Sequence, residues 1–106
     1  MGDVGGVWRL LRGGEAVGAV EVDEVDFPWL RGMFVAEPGF EGVRPWFEEA
    51  LAAIEGEEFE RFEAVYDRIE GELTLVAPDG RPVSFLLHVA GERAWFRWDD
   101  EAAGPA

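Results

Sequence analysis

The chain is expected to fold as an α+β domain with two layers. It would be a largely antiparallel, twisted sheet of about six strands with a helical hairpin on one face, in the order β-β-β-α-α-β-β-β. Three observations lead there. Two tight turns within residues 72–98 define hairpins whose registers agree on a single apolar face. The hydrophobic period changes from two to that of a helix between residues 40 and 70. A length of 106 residues without cysteine allows one domain held by packing alone.

Taken in order, Val7-Trp8-Arg9-Leu10-Leu11-Arg12 reads as a strand, Gly13-Gly14 as a primed turn, and residues 16–22 as the return strand, with Arg12 facing Glu15. Two apolar sets compete for the core side of this hairpin: Trp8, Leu10, Val17 and Ala19 against Val7, Leu11, Val20 and Val22. Residues 23–30 read as a loop carrying two aromatics, because Pro28 cannot donate to a ladder and pushes Phe27 toward an extended conformation. Residues 31–36 supply a third strand, ended by Pro38-Gly39.

Residues 40–44 form a turn leading into a helix whose first turn holds Pro45. Phe47, Ala50, Leu51 and Ile54 make its buried stripe, and Gly56 stops it. Phe59, Phe62, Tyr66 and Ile69 mark a second helix ending at Gly71, with Glu57, Glu58, Glu60, Glu63 and Asp67 on the opposite side.

In residues 72–98 the turn Ala77-Pro78-Asp79-Gly80-Arg81 pairs Leu75 with Val83, Thr74 with Ser84 and Leu73 with Phe85. Gly91-Glu92 pairs Ala90 with Arg93, Val89 with Ala94, His88 with Trp95, Leu87 with Phe96 and Leu86 with Arg97. One face then collects Leu73, Leu75, Val83, Phe85, Leu87, Val89, Ala94, Phe96 and Trp98, which is the core face. The other collects Glu72, Thr74, Val76, Ser84, Leu86, His88, Ala90, Trp95 and Arg97. Its Leu and Trp are more apolar than solvent exposure requires. Residues 99–106 are acidic, small and Pro-ended and read as a frayed tail, leaving 7–36, 40–70 and 72–98 as the three parts of one domain.

The formal net charge is -14, with 23 Asp plus Glu against nine basic residues, every one of them Arg. That balance argues against nucleic acid as a partner. Lys, Asn and Gln are missing, which reads as the mark of a GC-rich genome. No apolar run reaches the roughly 20 residues needed to span a bilayer, and Met1-Gly2-Asp3 opens no signal segment, so no membrane and a cytoplasmic location are expected.

Few chemistries survive. Ser84 and His88 share a strand face but stand roughly 13 Å apart at four residues' spacing, whereas a nucleophile and its base need about 3 Å. One imidazole without cysteine makes no zinc centre of the usual kinds, no glycine-rich loop joins a strand to a helix, and no cofactor is expected. Carboxylate chemistry remains through Asp23, Glu24 and Asp26, or Asp99, Asp100 and Glu101, as hard-cation ligands or as an acid and base pair.

The segments Phe27-Pro28-Trp29, Arg44-Pro45-Trp46-Phe47, Leu87-His88-Val89, Gly91 and Ala94-Trp95-Phe96-Arg97-Trp98 resemble those of short uncharacterised bacterial proteins of GC-rich, actinobacterial type. The resemblance implies one unified domain and no particular site. The leading expectation is a small acidic, non-enzymatic interaction module that binds another protein, or a second copy in a homodimer, through Leu86, His88, Trp95 and Arg97. The alternatives are a carboxylate- or divalent-metal-dependent enzyme or metal-binding domain using Asp23, Glu24 and Asp26, and an acidic mimic of nucleic acid that binds a basic partner.

Overall fold

The computed structural model describes residues 6–99, so all of the expected frayed tail except Asp99 lies outside the described residues. The elements are β1 (Val7–Arg12), β2 (Glu15–Asp26), β3 (Trp29–Ala36), a 3-10 turn (Pro38–Gly42), α1 (Arg44–Glu55), α2 (Phe59–Glu72), β4 (Leu73–Val76), β5 (Pro82–Ala90) and β6 (Arg93–Asp99). The α+β class, six antiparallel strands, two helices and their order are as expected. The sheet is not open. It closes into a barrel in the order β1-β2-β3-β6-β5-β4, because β1 pairs with β4 from Arg9↔Val76 to Arg12↔Leu73. Closure removes both sheet edges through backbone hydrogen bonds. Such bonds leave no imprint on side-chain alternation, so hydrophobic pattern alone cannot separate a barrel from an open sheet.

Both turns of the second meander form. The Ala77 N–H donates to the Arg81 carbonyl at 2.8 Å with Gly80 at φ 93, and β5 pairs with β6 in the expected register from Leu86↔Arg97 to Ala90↔Arg93. The core face is buried from Leu73 to Phe96. Trp98 is 38% exposed because it stands at the end of the barrel, where it meets Trp8 at 5.3 Å between ring centroids.

β4 and β5 pair only at Leu75↔Val83 and Val76↔Pro82. The expected pairs Thr74–Ser84 and Leu73–Phe85 do not form, because α2 runs through Gly71 into β4 without a loop and the Leu73 N–H still caps the Ile69 carbonyl. Tyr66 of α2 fills the resulting gap. Its hydroxyl accepts the Leu87 N–H at 2.6 Å and donates to the Phe85 carbonyl at 3.4 Å.

The competition between faces in the first hairpin has a structural cause. Leu10 pairs with Gly18 but Leu11 pairs with Ala16, so Val17 is an extra residue, and the bulge reverses the phase of β2. Trp8, Leu10 and Val17 from one set are therefore buried together with Val20 and Val22 from the other. A second bulge at Asp23 separates Val22↔Gly32 from Glu24↔Arg31. Beyond it residues 23–26 and 29–30, read as loop, continue the β2–β3 hairpin, and only Phe27 and the cis-linked Pro28 turn. Proline thus interrupts the ladder only at its own position and at Phe27, and not over the whole stretch 23–30 that its presence suggests.

In α1 the buried stripe is Phe47, Ala50 and Ala53, with Ile54 turned outward. In α2 it is Val65, Tyr66 and Ile69, with Phe62 half-buried and Phe59 58% exposed. Pro45 occupies the first turn of α1 and Gly56 caps its end, as expected. Phe40 of the 3-10 turn stacks on Phe47 at 5.7 Å and lies tilted against Phe34 at 4.7 Å, joining the turn and α1 to β3. Trp46 of α1 lies under the guanidinium groups of Arg12 from β1 and Arg68 from α2, which fastens both helices to the barrel.

Candidate functional site: the outer aromatic face

Alternation along β5 sends Ser84, Leu86, His88 and Ala90 outward, and pairing with β6 sets Arg97 beside Leu86 and Trp95 beside His88. Trp95 in turn pairs with Arg31 of β3, which brings Trp29, two residues earlier, onto the same face. The four residues expected on the outer face therefore do stand together. Trp95 lies 5.5 Å from the His88 ring, Trp29 6.1 Å and Phe62 of α2 6.2 Å, and Phe62 stacks on Tyr66 at 5.4 Å. The result is an aromatic seam that runs from β3 across β6 and β5 to α2.

The seam divides the expected residues by depth. His88 is only 7% exposed, and its Nδ1 is sealed without a hydrogen-bond partner among the described residues. Burial lowers its pKa below the ordinary 6.5, which keeps the ring neutral. Trp95, Trp29 and Leu86 are half-buried and Arg97 is exposed. The Arg97 guanidinium lies over the Trp29 ring at 5.9 Å and forms no ion pair with the described residues. Beside it an open cavity of about 380 Å³ is walled by Ser84, Phe85, Leu86, Arg97, Trp98 and Asp99.

Trp29 and Phe62 were missed as members of this face. Extending the Arg31 alternation back by two residues would have placed Trp29 there, but Pro28 argued for a loop. Nothing in the sequence places Phe62, since its contact with His88 depends on how α2 docks.

Of the acidic residues considered for metal or acid–base chemistry, Asp23 and Asp26 face arginines. Asp23 is held by Arg93 through two hydrogen bonds of 2.8 and 3.1 Å, which hold its carboxyl below the usual range. Asp26 lies 3.9 Å from Arg31, and Glu24 pairs with Arg31 across the ladder. Among the described residues, no three His, Asp or Glu side chains come together to hold a metal ion. Asp100 and Glu101 lie outside those residues. Ser84 and His88 are separated along β5, and the Nδ1 that would serve as base has no partner.

Compared with protein-family models, with curated proteins and with solved structures, the chain gives no significant match. Among the described residues no helix is long and apolar enough to cross a membrane. The functional reading therefore rests on the geometry of the outer face.

Proposed function

We propose that the protein is a non-enzymatic interaction module that engages another protein, or a second copy of itself, through the outer face formed by Trp29, Leu86, Trp95 and Arg97, with His88 beneath them. The observation that carries this reading is the Arg97 guanidinium, without an ion pair among the described residues, set over Trp29 and next to the cavity walled by Leu86. Half-buried tryptophans beside an arginine have the composition of an interface hot spot, where a partner excludes the remaining water. A carboxylate of the partner would find in Arg97 a fork of donors not already occupied by a described residue.

The test pairs Trp95→Ser with Arg97→Glu. Light scattering across micromolar concentrations reads self-association, and capture from a native lysate reads foreign partners. Each substitution is expected to weaken assembly or capture by at least about tenfold, as loss of a hot-spot residue does. Unchanged assembly and unchanged capture with both variants would overturn the reading. Capture that ignores both variants but collapses with added salt would favour the acidic surface and a basic partner instead.

A further inference from the structure

His88 is the only histidine, and it occupies an unusual place. Its ring meets three aromatic rings from three elements, Trp29 of β3, Trp95 of β6 and Phe62 of α2. The charged and titratable groups on those elements are turned to other partners. Arg31 faces Asp26, Arg93 binds Asp23, Arg97 covers the far Trp29 ring, and Asp99 stands at the far end of β6 opposite Ser84; on α2, Arg61 binds Glu49 and Glu58, Arg68 lies over Trp46, and the Tyr66 hydroxyl holds the β5 backbone. The remaining carboxylates of α2, Glu60, Glu63, Asp67, Glu70 and Glu72, exert no resolved pull on the imidazole, whose pKa is lowered by burial alone.

A neutral ring fits this setting, because the Nε2–H tautomer leaves at Nδ1 only a lone pair without a donor. An imidazolium does not fit. Its second N–H would point into an enclosure of aromatic rings with no acceptor among the described residues, carrying a charge as well. The enclosure must then open at its weakest wall. Trp29 and Trp95 belong to strands laddered into the closed barrel. Phe62 belongs to the first turns of α2, where Phe59 is exposed and Glu58 provides no side-chain cap. The deep anchors of that helix, Val65, Tyr66 and Ile69, lie further along. The Arg61 ion pairs that tie this end to its neighbours are solvent-exposed and worth little.

We propose that His88 is a proton-operated fastener between α2 and the barrel: one proton taken up by its imidazole releases the Phe62 end of α2 from β5 and uncovers Trp29 and Trp95, while the barrel stays folded. This device stands whether or not a partner binds the uncovered face.

The sign follows from linkage. The unfolded or released ring titrates near 6.5 and the enclosed ring lower, so the closed form is fully favoured above that pH and loses ground as the pH falls below it. The measurement is NMR of the wild-type protein between pH 7.5 and 5, where a single histidine makes the imidazole signals unambiguous, together with amide hydrogen exchange and tryptophan emission. The expected result is a folded-state imidazole pKa below 6.5. Exchange in the first two turns of α2, corrected for intrinsic pH dependence, should rise by up to about tenfold per pH unit. Tryptophan emission should shift to the red, and the β5 and β6 amides should stay protected. His88→Phe, which keeps a ring in the enclosure, should abolish the response. The proposal fails if the imidazole titrates at or above 6.5 in the closed protein, if α2 exchange ignores pH, if β5 and β6 open together with α2, or if His88→Phe responds like the wild type. Should that variant not fold, the wild-type pKa and exchange pattern decide alone.

Discussion

At the scale of single residues, Tyr66 and His88 face each other across Phe62 and treat their polar atoms in opposite ways. The Tyr66 phenol is buried, burial pushes its pKa upward, and it stays protonated while it bridges Leu87 and Phe85. It thereby replaces the strand that β4 fails to provide. Tyr66→Phe keeps the stacked ring but strands the Leu87 N–H and the Phe85 carbonyl. We expect it to cost about 1–3 kcal/mol, read by denaturant unfolding. A loss below about 0.5 kcal/mol would mean that water replaces the hydroxyl and that the gap is wet.

At the scale of elements, two glycines behave in opposite ways because of their neighbours. A Cβ on Gly32 would run into the Glu21 carbonyl and the Val22 backbone, where the Asp23 bulge folds β2 tightly onto β3. Gly32→Ala should therefore destabilise by about 1–3 kcal/mol, the usual range for overpacking, and lower the melting temperature accordingly. A Cβ on Gly71 would meet nothing, and that residue is helical, so Gly71→Ala should stabilise by up to about 1 kcal/mol. Reversed signs in thermal melts would mean that the bulge, or the junction of α2 with β4, is arranged differently. The same junction explains why Gly71 misled as a helix stop: beyond Gly56 the chain turns left-handed, at Glu57 with φ 59, whereas no residue around Gly71 does so and α2 passes directly into β4.

At the scale of the whole molecule, a charge of -14 is spread over a chain of 11.8 kDa, and the arginine-centred ion pairs of Arg12, Arg31, Arg44, Arg61, Arg81 and Arg93 with described residues lie at the surface. Uncompensated carboxylates repel one another more in the compact state than in the expanded one. Raising ionic strength from near zero to about 0.15 M shortens the screening length to about 8 Å. The melting temperature should therefore rise over that range and then level off. A fall would show that the surface ion pairs outweigh the net repulsion, and the pair holding Asp23 to Arg93 would be the first to test.

Strand and helix types, the β5–β6 register and the inner face of the second meander were legible in the residues, because period, turn chemistry and alternation act locally. For the candidate site this meant that Leu86, His88, Trp95 and Arg97 were placed on one face before any tertiary structure was known. Where the two hairpins differ is instructive: the second has no bulge between its turn and Leu86, whereas the first has Val17, and one extra residue reverses every later side chain. Trp29 joined the face only because the strand persists past the residues that look like a loop. The pairing of β1 with β4, the splay that admits Tyr66, and the docking of Phe62 over His88 were decided by tertiary structure alone. They depend on backbone edges and on the direction in which α2 enters β4, and neither leaves a periodic signature in sequence.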